Sequence, residues 1–156
     1  MLLRPVIGGP LVLRRKSGLA AFFRKWRAEI PITGGLMSTH LVRYRQQALA
    51  RQRGRCCYCE MPAILFRNLS GFASEHGISQ ACVGALQCTA EHLQARCAGG
   101  RDKAKNIAAA CITCNQRRHR MNPAPTPEEF RQIVQRQMEH GVWHERSVLT
   151  AISLIN

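Results

Sequence analysis

Apolar and polar positions alternate along this chain with two different periods, and the change between them outlines the elements. In residues 38–53 (STHLVRYRQQALARQR) apolar side chains recur at helical spacing, with Ser38 or Thr39 placed to cap the start and Gly54 to stop the end. RCCYCE then reads as a tight cysteine turn, and residues 61–88 are of mixed character, with Ile78 to Leu86 helical. Thr89 to Leu93 reads as a short strand, Gly99-Gly100 as part of a loop, and Ile107 to Ala110 as a second short strand of small apolar residues. A helix begins near Ile112 and runs to about Met121, where Pro123 prevents its continuation. The last signposted helix has Thr126 as N-cap, Pro127 at its first position, Glu129 completing a capping box and Gly141 as its stop. Phe130, Ile133, Val134 and Met138 fall on one of its faces, so it is expected to pack on the domain. Upstream, residues 18–29 (GLAAFFRKWRAE) read as a short basic amphipathic helix ended by Gly34-Gly35.

Composition narrows the function classes. The chain has 156 residues, the size of one ordinary domain, with 46% hydrophobic residues and a net charge of +14. Only Lys16, Lys25, Lys103 and Lys105 are lysines, so the excess is carried by arginine, whose planar fork matches phosphate oxygens two at a time. That points to nucleic acid as partner. Membrane lipid is the competing surface, but no run approaches the roughly 18 apolar residues of a spanning helix. The N-terminus has a slight targeting character, interrupted by Arg4, Arg14, Arg15 and Lys16. Met37 is an alternative functional start. The expected organisation is a basic extension over 1–36, a domain over 37–122 with an insertion at 61–88, and a C-terminal helical part over 123–156.

Eight cysteines sharpen the picture. Cys56 and Cys59 form one C-x-x-C pair and Cys111 and Cys114 a second. Two such pairs, one in a turn and one at a helix start, suit a tetrahedral four-thiolate zinc site, closed and structural because no position is left for water. A disulfide framework is the alternative for an even cysteine count. The metal-like spacing and the lack of a clean signal peptide favour zinc in a reducing cytoplasm. Cys57 is a substitute ligand, while Cys82, Cys88 and Cys97 read as core residues or free thiols.

Between the pairs lies EHLQARCAGGRDKAKNIAAACITCNQRRH, Glu91 to His119. Taken singly, His92 is a core histidine, an additional zinc ligand or a base, and Asn106 and Asn115 are ordinary turn and helix-start residues. Taken together, residues 54–120 resemble the HNH endonuclease family, the zinc-stapled ββα-metal nucleases. The acidic residue and histidine are Glu91-His92, the Gly-rich loop is Gly99-Gly100, the asparagine ahead of the second strand is Asn106, and the residue after the second C-x-x-C is Asn115. The resemblance implies an α+β fold: a small ββα-metal, treble-clef-like zinc-bound core with flanking helices. It implies metal-dependent hydrolysis of phosphodiester bonds in DNA, with RNA as the alternative substrate. His92 would be the general base. Glu91, Asn115 and His119 would hold Mg²⁺ or another divalent ion, and Asn106 would bond the loop backbone and orient His92. Two departures from the family pattern stand out: Glu91 replaces the more frequent Asp, and Leu93-Gln94-Ala95 stands where a proline is common.

Arg96, Arg101, Lys103 and Lys105 crowd the loop, and Arg117 and Arg118 follow the second cysteine pair. These are the expected phosphate-gripping side chains, with Arg43, Arg45, Arg51, Arg53 and Arg55 as a second basic region. Such contacts give affinity without base preference. Trp143-His144 reads as packing. Against the nuclease stand a non-catalytic zinc module that binds nucleic acid, and a toxin-like or phage-associated nuclease controlled by a partner. The Glu91, His92 and Asn115 set separates the nuclease from the pure binder.

Overall fold

The structure, a computed structural model, describes residues 39–155. The helix expected over 18–29, Met37 and Ser38 lie outside them. The first helix, α1 (Thr39–Arg51), ends where Arg53 and Gly54 turn into the left-handed region, with φ of 55° and 77°. The Gly54 amide closes the end by donating to Leu49 O at 2.9 Å.

Two strands carry the centre, β1 (Cys88–His92) and β2 (Ile107–Cys111), paired antiparallel with Cys88 opposite Cys111 and His92 opposite Ile107. Every residue of β2 is buried. The small Ala108-Ala109-Ala110 run lets neighbouring elements come close on both sides. A two-stranded sheet leaves its outer edges unpaired, and buried backbone groups need partners. Gln52, just past α1, supplies them: its side-chain amide donates to Ala109 O at 2.8 Å and accepts from Ala109 N at 2.9 Å. The amide of Cys57 also donates to Ala109 O, at 2.9 Å.

Directly after β2 comes α4 (Ile112–Arg120), with two short insertion helices, α2 (Leu69–His76) and α3 (Gln80–Gly84), earlier in the chain. The helix expected over Ile78 to Leu86 is therefore shorter, capped by Ser79, whose hydroxyl accepts from Cys82 N at 3.3 Å. The pattern reading missed α2, which buries Leu69, Phe72 and Ala73 at i, i+3 and i+4 around a central Gly71 that lowers helix propensity. It also missed α6 (Arg146–Ser153), which buries Val148 and Ile152. These missed elements find one another. Leu69, Phe72, Ala73, Val83, Leu86, Val148 and Ile152 form a core of their own with Ile64.

The other core gathers the four paired cysteines with Ala48, Tyr58, Ala109, Ala110 and the C-terminal Phe130, Val134 and Trp143. Phe130 and Val134 come from α5 (Pro127–Glu139), which has the expected Thr126–Glu129 capping box and Pro127 at its start. The Phe130 ring meets Tyr58 edge-on at 4.8 Å between centroids and Trp143 at 5.7 Å. Among the described residues the arrangement is helical with one small antiparallel sheet and a four-cysteine cluster, as the ββα-metal reading expects. No helix among the described residues is long and apolar enough to cross a membrane.

Phe130 is fully buried and bridges α5 to the cysteine core. Phe130→Ala is expected to cost about 3–5 kcal/mol of stability, read by urea unfolding. A loss below about 1 kcal/mol would mean that α5 is not part of the cooperative unit.

Candidate metal and catalytic centre

The cysteine cluster is built by local backbone geometry. Cys56 and Cys59 sit on the turn after α1, where Tyr58 N donates to Cys56 Sγ at 3.5 Å. Cys111 ends β2 and is the N-cap of α4; its sulfur accepts from Cys114 N at 3.4 Å. The four sulfurs lie within 4.8 Å of one another, and all four residues are buried. This set is compatible with tetrahedral zinc.

The proton affinities of these thiols show why a cation suits them. Burial alone would raise Cys56, but hydrogen bonds from Cys111 and Cys114 outweigh it and hold it well below the usual thiol range. Cys111 is lowered to about 7, chiefly by its bond with Cys114. Cys59 and Cys114 are pushed far up, each first by its contact with Cys111. Four sulfurs this close cannot all ionise unaided, and a dication would allow it.

Two contacts at this cluster escaped the sequence reading. Trp143 Nε1 donates to Cys114 Sγ at 3.2 Å, and His144 Nε2 lies 3.4 Å from Cys59 Sγ. Trp143 does pack, as expected, but its N–H is aimed at a sulfur of the cluster. Of the remaining cysteines, Cys88 is buried, with burial pushing its thiol up to about 12; Cys82 is half-buried and Cys97 exposed.

The second centre forms at the end of β1. Successive residues of a strand face opposite ways, and here Glu91 turns toward α4 while the His92 ring turns toward the loop that follows. Glu91 is fully buried. Its Oε1 accepts from the Tyr58 hydroxyl at 3.0 Å and from Arg118 Nη1. Burial, and then the Glu91 charge, push the Tyr58 hydroxyl upward, so it stays a donor. The other oxygen, Oε2, is buried and accepts no hydrogen bond, although His119 Nε2 lies 3.3 Å away. Asn115 and His119 share one face of α4. Asn115 ties that helix to β1, its Nδ2 donating to Thr89 Oγ1 at 2.8 Å and Ala90 O at 3.3 Å.

Arg118 departs from the expectation of a phosphate-gripping side chain. Only 3% of it is exposed, and its donors are spent inside the protein. Nη1 serves Glu91 and His92 O at 3.1 Å, Nη2 serves Leu93 O at 3.1 Å, and Nε serves Pro125 O at 3.1 Å. A surface arginine has water for these donors; this one organises the strand end instead. Arg117 stays exposed but lies over the Trp143 ring at 4.5 Å. Arg101, Lys103 and Lys105 are exposed on the loop.

Asn106 holds that loop shut. It donates to Gln94 O at 3.2 Å and Arg101 O at 3.0 Å and accepts from Gln94 N at 2.8 Å. The glycine pair permits the closure. Gly99 has φ +81°, and a Cβ on Gly100 would lie 1.9 Å from Gln94 O, so no other residue fits there without moving the backbone. The closed loop brings Asp102, absent from the sequence-derived set, to 2.7 Å from His92 Nε2. Arg96 pairs with the same carboxylate at 3.0 and 3.1 Å.

The Arg118–Glu91 pair sets a measurable condition. Arg118→Met leaves a buried carboxylate with one neutral donor, and the loss is expected to be about 3–5 kcal/mol. Adding Glu91→Gln should return much of it, as read by chemical denaturation. Wild-type stability in the single variant would show that the pair does not hold the strand end.

No curated protein and no solved structure matches the chain. Residues 77–121, the stretch that holds β1, the loop, β2 and α4, match the family model described as HNH endonuclease.

Proposed function

We propose that the protein is a metal-dependent HNH endonuclease that hydrolyses phosphodiester bonds in DNA. The observation that carries this reading is the Glu91–His92 step. Among the described residues, adjacent side chains present a buried carboxylate oxygen with no hydrogen bond and an imidazole whose Nδ1 is unpaired. A buried, unsatisfied anionic oxygen costs free energy unless something cationic meets it. Glu91 Oε2, His119 Nε2 and Asn115 Oδ1 suit a divalent ion such as Mg²⁺, and both hydrogen bonds of Asn115 use Nδ2. When bound, the ion would stabilise charge on the scissile phosphate and its leaving oxygen.

The chain's own residues do the rest. His92 accepts the proton of the attacking water. Asn106 keeps the loop closed, so the imidazole has a fixed neighbour. Arg101, Lys103 and Lys105 draw the phosphate backbone toward the strand end, and exposed Arg117 extends that surface along α4. Cys56, Cys59, Cys111 and Cys114 hold a structural zinc that fixes the turn, the end of β2 and the start of α4 relative to one another.

One observation favours a rival, a non-catalytic zinc module that binds nucleic acid: Arg118 already neutralises Glu91. Plasmid nicking separates the two. Purified protein with Mg²⁺ is expected to nick supercoiled DNA, and His92→Ala to lose about 10²–10⁴-fold of the rate. Equal rates, or mobility shifts without cleavage, would favour the binder.

Metal analysis is expected to return about one zinc per chain. Trp143→Phe with His144→Ala should release that zinc faster to a chromogenic chelator, by roughly 10-fold or more, because both nitrogen–sulfur contacts are lost. Unchanged release would show that these contacts only pack.

A further inference from the structure

His92 is the proposed base, and the geometry of its ring raises a question that the family match leaves open: which nitrogen carries the proton at rest. Two groups approach Nε2. Asp102 Oδ1 lies at 2.7 Å and Arg96 Nε at 3.2 Å. They ask for opposite things. A carboxylate accepts, which requires Nε2–H, while a guanidinium N–H donates, which requires a lone pair on Nε2.

Distance and charge decide between them. With the proton on Nδ1, a carboxylate oxygen and a nitrogen lone pair would face each other at 2.7 Å with nothing between them. With the proton on Nε2, that contact becomes a short charge-assisted hydrogen bond. Arg96 loses little in this arrangement, since its Nη2 is bonded to both oxygens of Asp102 at 3.0 and 3.1 Å. Nδ1 makes no hydrogen bond among the described residues and is not sealed from solvent.

We propose that Asp102 is the positioning residue of the site. It fixes His92 as the Nε2–H tautomer, so that the basic lone pair sits on Nδ1, and Arg96 holds Asp102 in place. This rests on the nuclease reading for its catalytic meaning, but not for its geometry. In the reaction, water gives its proton to Nδ1 as its oxygen forms the bond to phosphorus, and the leaving oxygen departs with the electrons of the broken P–O bond. Nε2–H keeps its proton throughout, and the imidazolium that forms is stabilised by the Asp102 carboxylate.

The placement of Asp102 follows from the loop that carries it. Asn106 bonds Gln94 at the loop's start and Arg101 next to Asp102, and Gly100 permits the close turn against Gln94. A carboxylate ten residues along the chain is thus delivered to the ring by backbone closure and not by a regular element.

Two readouts test this. The first is independent of activity: long-range ¹H–¹⁵N correlation spectra of uniformly labelled, zinc-loaded full chain at pH 9, with the His92 signals identified by their loss in His92→Gln. The wild type is expected to show the Nε2–H tautomer, and Asp102→Ala a shift toward a mixture of tautomers. An Nδ1–H tautomer in the wild type, or an unchanged pattern in Asp102→Ala, overturns the proposal. The second is plasmid nicking. Asp102→Ala is expected to lower kcat roughly 10- to 100-fold with KM within about 2-fold, and Asp102→Glu to restore part of the loss. A rise in KM with kcat unchanged would assign Asp102 to substrate binding and overturn the positioning role. Zinc content and the thermal midpoint are measured on each variant, so that loss of fold is not read as loss of positioning. If the wild type does not nick DNA yet shows the Nε2–H tautomer, the nuclease reading fails and the Asp102–His92 assignment stands.

Discussion

Four thiols held within 4.8 Å of one another cannot remain four ordinary thiols. Burial resists their ionisation and their mutual contacts drive two of them down and two of them up. A cation would resolve that conflict, and much of the fold is arranged around the point where it would sit. The turn after α1, the end of β2 and the first turn of α4 each contribute sulfur, so none of the three can move alone. The 5-residue strands would be marginal by themselves. Anchored at Cys111 and edged by Gln52, they become a rigid base for the residues at the far end of β1.

That far end divides the chemistry by strand alternation. Glu91 goes into the protein, where Tyr58 and Arg118 fix one of its oxygens and leave the other aimed toward His119. His92 goes to the loop. The two side chains are adjacent in sequence, yet each is held by a separate set of partners: α4 and the cysteine turn for Glu91, the glycine loop for His92. Arg118 joins the sets through the backbone, bonding the carbonyls of His92 and Leu93 while it pairs with Glu91.

What the sequence made legible follows from period and punctuation. The long helices α1 and α5 carry apolar repeats and clear stops, and the strands are bracketed by glycines and cysteines. The C-x-x-C pairs announce their own geometry because sulfurs three positions apart on a turn or helix start converge. Helix α2 was hidden because its single apolar turn includes a glycine, and α6 because its two buried residues complete a core whose other half lies some seventy positions upstream. Arg118 was misread because RRHR looks like a solvated basic run, and nothing in that run marks the one arginine that turns inward. Asp102 sits in a loop without periodicity, so only the closure made by Asn106 and Gly100 brings it to His92. Trp143 and His144 carry no spacing signal relative to the cysteines whose sulfurs they touch.

Those last two contacts bear on where this unit can be cut. The family segment runs from 77 to 121, but Cys56 and Cys59 lie before it, and Trp143 and His144 after it. A fragment trimmed to the recognisable segment would hold half of the sulfurs and neither of the ring nitrogens that face them from the C-terminal side. Expressed by itself, such a fragment has no reason to fold. Grafting this site onto another scaffold would mean carrying a stretch reaching from the first cysteine pair to beyond His144.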